Sequence, residues 1–319
     1  MKLGVLIPAF NEEKKIGGVI ENVKNSLSTL EYFEIIVVND GSSDGTSRIV
    51  EQLGVSLVVH KKNRGLGVAF QTGLGKALKS RIDILVTIDA DGQFDPSEIN
   101  KLTAPILNGQ ADMVTGSRFK DSGYTPENMP FLKKWGNKRV ASIISRATGE
   151  KFHDVSCGFR AYSREAMLAM NLFGKFTYTQ ETFLDLVFKG FKIVEVPVTV
   201  KYFDDRKSKM AGSLLRYAFK SGDIMFRTIK DYKPLQFFGW SGFLIFLVGL
   251  SLDIFVFIHF LSFGTFSPYK IFGFLGAFLN SVGIMVFFIG ILADLIDRLR
   301  MTQEKILYYE KKRFYDSDI

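Results

Sequence analysis

Cysteine is almost absent. Cys157 is the only one among 319 residues, which excludes an intramolecular disulfide framework and fits a reducing compartment or a membrane face bordering one. A lone thiol of this kind reads as a small buried hydrophobe. The common nucleotide signatures are missing as well. There is no G-x-x-x-x-G-K-[ST] loop, and Gly65-Leu-Gly67-Val-Ala-Phe70 lacks the third glycine of the dinucleotide fingerprint and does not follow the first strand. A P-loop ATPase and a dehydrogenase are thereby disfavoured. No apolar leader opens the chain either: Lys2 is followed at once by the strand-like Leu3 to Ile7 and then Pro8. The first domain is therefore expected in the cytoplasm.

What is present is apolar and basic. Composition is 47% hydrophobic and 14% aromatic, with Phe crowded into the last third, and the formal net charge is +8. That charge calls for an anionic partner: nucleic acid, phospholipid and a phosphorylated substrate all qualify. Strand-like runs at Leu3–Ile7, Glu34–Val38, Ser56–His60 and Ile84–Ile88 alternate with helical spacing over about 14–30, 46–53 and 65–78. The alternation predicts an α/β, Rossmann-like domain with a mainly parallel sheet.

The central run, Ile84 to Ile88, leads straight into Asp89-Ala-Asp91-Gly-Gln93. Carboxylates at the C-terminal end of such a strand sit where open α/β sheets bind ligands. Asp89 and Asp91 are hard oxygen donors, with the Gln93 amide as a third, and suit Mg2+ or Mn2+ held jointly with a phosphate. Alone, the same residues also read as an Asp-Gly turn closing the strand. The acids Glu12 and Asp40 follow the first two strands, so three acid-bearing strand ends should converge on one crevice.

Pro8-Ala-Phe-Asn-Glu12, Val37-Val-Asn-Asp40-Gly-Ser-Ser-Asp44-Gly-Thr46, Asp89-Ala-Asp91-Gly-Gln93 and Gly116-Ser-Arg118-Phe119 together resemble family 2 glycosyltransferases of the GT-A fold. The pattern is similar to the branch that acts on dolichol and undecaprenyl phosphates. The resemblance implies that Pro8, Phe10, Glu12 and Asp40 line the base and ribose pocket of a nucleotide-sugar, with Asp89, Asp91 and Gln93 holding the metal against its diphosphate. Many relatives carry Asp where this chain has Asn39, which leaves UDP and GDP both open. The segment Asp154 to Arg160 resembles the family's acceptor side, with Arg118 and Arg160 as anion ligands. Gln180 and Glu181 match a polar pair facing the sugar. On the loop after the last strand, Val194 to Val200, the residues Arg206, Ser208 and Lys209 match groups that meet the donor diphosphate or the lipid phosphate. Relatives often place glycine where Lys207 stands.

Residues 213–234 interleave Leu214, Leu215, Tyr217, Met225 and Phe226 with Arg216, Lys220, Arg227 and Lys230. That is the pattern of an amphipathic helix on an anionic bilayer surface. Two long apolar stretches follow, about 235–263 and 271–296, each sufficient for a hydrocarbon core that needs ~20 residues. Lys230 and Lys233 precede this hairpin and Arg298, Arg300 and Lys305 follow it, while the loop between holds only Lys270. Positive-inside reasoning puts both termini and the catalytic domain in the cytoplasm. The expected organisation is a GT-A domain over 1–212, a juxtamembrane helix over 213–234, two transmembrane helices within 235–297 and a basic tail over 298–319.

The resemblance thus implies an inverting, metal-dependent transferase moving a sugar from a UDP- or GDP-linked donor to a polyprenyl phosphate, with Asp91, Arg206 and Lys209 central to catalysis. Phospholipid is the expected further partner and nucleic acid is not, because much of the basic excess flanks the apolar spans. A two-span hairpin leaves room for self-association or a separate flippase. A processive polysaccharide synthase should carry Gln-x-x-Arg-Trp, and neither Trp135 nor Trp240 is preceded by that pattern. The other reading weighed is a non-catalytic membrane scaffold that has kept the fold.

Overall fold

The computed structural model of the chain describes residues 1–124, 129, 131–172, 174, 178–201 and 234–317. It divides into two compact units, Met1–Met225 with Leu307–Ile319, and Phe226–Ile306. The expected amphipathic helix, through residue 233, and the loop bearing Arg206, Ser208 and Lys209 lie outside the described residues.

In the first unit, strands β1 (Leu3–Ala9), β2 (Phe33–Asn39), β3 (Ser56–Val59), β4 (Ile84–Thr87), β5 (Met113–Ser117), β6 (Arg160–Ser163) and β7 (Ile193–Pro197) form one sheet in the order β3-β2-β1-β4-β6-β5-β7. All pairings are parallel except those of β6, which runs antiparallel between β4 and β5. Around the sheet lie α1 (Ile16–Ser26), α2 (Thr46–Gln52), α3 (Leu66–Lys79), α4 (Ile99–Leu107), α5 (Phe131–Thr148), α6 (Arg164–Ala169) and α7 (Thr179–Phe188). Side-chain alternation explains why the inner strands read as continuous apolar runs. Val5, Ile7, Ile35, Val37, Ile84 and Val86 enter one core with α1 and α4. Leu6, Ile36, Val38 and Leu85 enter the other with α3, α6 and α7. Each such side chain contributes about 1.5–3 kcal/mol by leaving water.

Two strand assignments differ from the sequence pattern. β1 continues through Pro8 to Ala9, although proline was expected to end it. The paired register with β4 stops at Leu6 while β2 continues to Ala9, so the β4 side asks nothing of the N–H that Pro8 lacks. β6 was not anticipated as a strand. Its four residues carry no two-residue apolar period, and the strand forms because β4 and β5 offer unpaired edges on both sides.

Arg160, the first residue of β6, was expected to meet an external anion, and the structure corrects this. Its side chain is fully buried. The guanidinium donates to the carbonyls of Cys157 and Val155 at 2.8 Å, and to the Thr179 carbonyl at 2.6 Å and Thr182 Oγ1 at 2.8 Å. It ties the segment before β6 to the start of α7. Cys157 is buried beside it, as expected for a small hydrophobe. Burial, reinforced by the charge of Asp154, pushes its thiol up to about 12.

The second unit contains most of a helical hairpin, α8 (Pro234–Phe263) and α9 (Lys270–Asp316). Both are long and apolar enough to cross a membrane, and only 11% and 17% of their most apolar stretches are buried. Gly242 faces Gly283 and Gly249 faces Gly276 so closely that a Cβ on either member would lie 2.7–2.8 Å from the opposing carbonyl oxygen. Small residues let such helices approach in lipid. Asp253, costly within a span, accepts a 2.6 Å hydrogen bond from Asn280 Nδ2 across this interface. The 298–319 segment is helical to Asp316, and from Leu307 it belongs to the first unit. There Lys311 Nζ donates to the Met170 carbonyl and Asn171 Oδ1 at 2.8 Å, and Tyr308 donates to Glu165.

These contacts carry two expectations. Arg160→Met strands several buried carbonyls, each costing about 1–3 kcal/mol, so the thermal midpoint should fall clearly. An unchanged midpoint with weakened turnover would restore the anion-binding role. A thiolate-selective reagent at about pH 8 should label Cys157 only after denaturation, because a thiol held protonated reacts through a vanishing thiolate fraction. Rapid labelling of the native protein would contradict the buried placement.

Candidate active site

The strand register sets the site. β1 and β2 end level, Ala9 opposite Asn39, and β4 ends opposite Arg160 of β6 at Thr87. The loops after β1, β2 and β4 therefore leave the same edge of the sheet, the edge where ligands bind in open α/β folds.

The first two loops are laced together. Asn11 sits at φ 53, its N–H donates to Ser42 Oγ at 2.9 Å, and its side chain accepts from the Ser43 N–H at 2.9 Å. The Glu12 N–H donates to Thr46 Oγ1 at 3.0 Å. Asp44 accepts from the N–H groups of Glu13 and Thr46 and from Thr46 Oγ1. Burial works against its ionisation, but these hydrogen bonds outweigh it and hold Asp44 below the usual carboxylate range. Phe10 is 36% exposed and Glu12 is half-buried, so both are open to solvent just past β1. Pro8 is buried within β1.

Asp40 is buried, at 3% exposure. Its Oδ1 accepts from His60 Nδ1 at 2.6 Å and from the Arg64 N–H at 2.9 Å, and its Oδ2 from the Gly65 N–H at 2.8 Å. His60 Nε2 reaches Thr72 Oγ1 of α3 at 3.0 Å. Asp40 thus fixes the loop between β3 and α3, on which Lys61, Lys62 and Arg64 are exposed. Asn39 is held by Ser42 and Ser47.

At the end of β4, Asp89 and Asp91 flank buried Ala90 and are themselves half-exposed, as is Gln93. Asp91 Oδ1 accepts the Gln93 N–H at 3.0 Å, across a turn that Gly92 makes at φ 74. Beside Asp89 runs the 154–160 segment. A Cβ on Gly158 would lie 3.2 Å from both Asp89 carboxylate oxygens, so glycine keeps open the space against that carboxylate. Thr87 Oγ1 and Tyr178 OH donate to the Gly158 carbonyl at 2.7 and 3.2 Å, and the Tyr178 ring stacks on Phe70 with centroids 4.0 Å apart. Burial, with Tyr162 and Asp89 nearby, holds the Tyr178 hydroxyl neutral.

Among the described residues, no cluster of three or more carboxylate, histidine or cysteine side chains could cage a metal ion. Asp89, Asp91 and Gln93 carry hard oxygen donors on one short turn, each partly open to solvent. That fits an Mg2+-like ion that takes its remaining ligands from water and a substrate's phosphates.

Arg118 is 7% exposed and forks onto Asp154 at 2.7 and 2.9 Å, an interior pair rather than an anion ligand. Gln180 is fully buried. Glu181 accepts the Gly174 N–H at 3.0 Å, fastening the segment before α7. Sequence reasoning did not single out Asn11, His60, Gly158 or Tyr178. His60 had one visible signal, a histidine closing a strand directly before two lysines.

The sequence profile of glycosyl transferase family 2 matches residues 4–169. A UDP-N-acetylglucosamine–dolichyl-phosphate N-acetylglucosaminyltransferase of Methanococcus voltae is 38% identical over 184 residues, 52% of this chain and 71% of that protein. A polyprenol monophosphomannose synthase of Mycolicibacterium smegmatis is 31% identical over 224 residues, 67% of this chain and 83% of its own length. Among solved structures, glucosyl-3-phosphoglycerate synthase from Mycobacterium tuberculosis in complex with Mn2+, UDP and phosphoglyceric acid shares the fold. Its TM-score is 0.56 at 20% identity, covering 72% of this chain and 78% of that one. With the sheet order and the acid-bearing strand ends already in place, the profile match assigns the chain to glycosyl transferase family 2, as a glycosyltransferase of the GT-A fold.

Proposed function

We propose that the chain moves a sugar from a UDP- or GDP-linked donor to a polyprenyl phosphate at the cytoplasmic face of a membrane, with inversion at the anomeric carbon and with Mg2+ or Mn2+. One observation carries this reading. The acid-bearing ends of β1, β2 and β4 share a sheet edge in a chain that also holds two helices long and apolar enough to cross a bilayer. The names of the Methanococcus and Mycolicibacterium relatives, one carrying dolichyl phosphate and the other polyprenol monophosphomannose, point the same way. The flanking Lys and Arg favour a cytoplasmic site.

The acceptor is a phosphate already ionised at neutral pH, so it needs placement and charge neutralisation more than a strong base. Its oxygen attacks the anomeric carbon from the face opposite the nucleotide. The bond from that carbon to the diphosphate oxygen breaks, and the nucleoside diphosphate leaves with the electron pair. A divalent ion on Asp89 and Asp91, with Gln93 beside it, would offset the charge growing on that leaving group. Phe10 and Glu12 border the base and ribose. Asp40 acts through the Arg64–Gly65 backbone that it holds, as a positioning residue. Arg206 and Lys209, with the Ser208 hydroxyl, offset the repulsion between two anionic substrates. Glu181 shapes the approach to α7 on the sugar side.

The processive-synthase reading lacks its Gln-x-x-Arg-Trp signature. The scaffold reading gives no account of three acid-bearing strand ends gathered on one sheet edge.

Purified protein in detergent with polyprenyl phosphate, divalent metal and a panel of labelled UDP- and GDP-sugars should give a lipid-soluble labelled product from one donor. Asp91→Asn should lower kcat roughly 100- to 1000-fold, the range for losing one group aimed at developing charge. Metal-independent turnover at full rate in that variant would overturn the assignment. His60→Ala removes the side chain that braces Asp40 and should raise the donor KM roughly tenfold, at about 1–2 kcal/mol for a buried hydrogen bond to a charged group. His60→Asn, which keeps a donor toward Asp40, should recover most of it. Equal KM in all three forms would dismiss the positioning role.

A further inference from the structure

Helix α5 (Phe131–Thr148) takes no part in the site described above. Its 18 residues hold five Lys or Arg and no Asp or Glu. The helix is two-faced. Asn137, Ala141 and Ile144 are buried, and Ala141 and Ile144 join the core on which α7 also packs. On the opposite side, Trp135, Lys138, Arg139, Ile143 and Arg146 are exposed, at the three- and four-residue spacing that lines up one helical face. Two of these are large and apolar: Trp135 is 49% exposed and Ile143 41%. The Arg139 guanidinium lies 5.3 Å from the Trp135 ring centroid, so a cation is held directly over the indole. Beyond the helix end, the exposed Glu150 is offset by exposed Lys151.

An ordinary solvated helix mixes both signs of charge and keeps Trp and Ile inside. A face that combines three exposed cations, an indole and an Ile is suited to a boundary that is anionic on one side and apolar just beneath. A nucleic acid would satisfy the cations but give Ile143 no apolar medium. An anionic bilayer satisfies both, and the same chain carries two helices apolar enough to cross one. We propose that the outer face of α5 docks on an anionic phospholipid surface, with Trp135 and Ile143 entering the headgroup layer while Lys138, Arg139 and Arg146 meet lipid phosphates. This attachment is separate from the hairpin. It relies on membrane association alone and not on the identity of sugar or acceptor, so a failed transferase assay leaves it standing.

The test uses the full-length protein. Trp240→Phe leaves Trp135 as the only tryptophan. The variant is placed in nanodiscs of phosphatidylglycerol or of phosphatidylcholine, with and without acyl-chain-brominated lipid. In the anionic discs, Trp135 emission should be blue-shifted and quenched by bromine. The quenching should weaken with salt and in phosphatidylcholine. Changing Lys138, Arg139 and Arg146 to Gln should release it, with local docking falling roughly fivefold for each cation removed. Solvent-like emission, unquenched in every disc, overturns the proposal. So does a blue shift that bromine does not quench, which would place α5 against a second copy or another protein. Should the Trp240 variant fold poorly, Ser142→Cys gives an independent reading, since Cys157 is buried with its thiol held protonated. A nitroxide on Cys at 142 should be more accessible to oxygen than to a water-soluble nickel chelate, and the reverse order contradicts docking.

Discussion

Four residues of β4 position the chemistry. Ile84 to Thr87 are buried throughout, paired with β1 on one edge and β6 on the other, and neither neighbour can shift by one residue without exchanging the two cores. That rigidity delivers Asp89 and Asp91 to a fixed point at the edge of the sheet. It also brings Gly158 against Asp89, because Gly158 lies two residues before β6 begins. In the proposed reading the two carboxylates are an incomplete ligand set. Such an arrangement favours a metal shared with substrate over one stored in the protein, and binding of metal and nucleotide should then be mutually dependent.

A second layer of constraint surrounds this point. Asp40 is spent on His60 and on two backbone N–H groups, which orders the cationic loop Lys61–Arg64 without offering the carboxylate to a ligand. Arg118 and Arg160 are likewise spent, on Asp154 and on carbonyl oxygens. Each buried ion therefore has its partners, as a low-dielectric interior requires. In the proposed reading, an anionic substrate meets the sheet edge and the basic residues Arg206 and Lys209.

The fold was legible where periodicity was strong. The apolar runs of β1, β2 and β4 and the helical spacing of α1 and α3 appear in the sequence because burial on both faces demands them. β6 was not legible, since its strand character comes from neighbours distant in sequence. The place of Asp89, Asp91 and Gln93 just past β4 was readable because the apolar run stops there. Arg160 was misread because the resemblance of the Asp154–Arg160 segment to the family's acceptor side says nothing of burial, and the side chain turns inward onto backbone carbonyls and Thr182 of α7. His60 escaped because its meaning lies in Asp40 and Thr72, 20 residues before and 12 after. The hairpin was read from its length and composition, and its interface adds the Gly242–Gly283 and Gly249–Gly276 contacts that hydropathy does not reveal.

The most direct measurement of the central claim is electron paramagnetic resonance of Mn2+ titrated into the purified protein, with and without UDP or GDP. A site built from Asp89, Asp91 and a substrate diphosphate is expected to bind Mn2+ weakly alone and tightly once the matching nucleotide is present, with reciprocal tightening of the nucleotide by the metal. Tight Mn2+ binding without nucleotide, or nucleotide binding indifferent to metal and unchanged by Asp91→Asn, would contradict the shared-metal site on which the account rests.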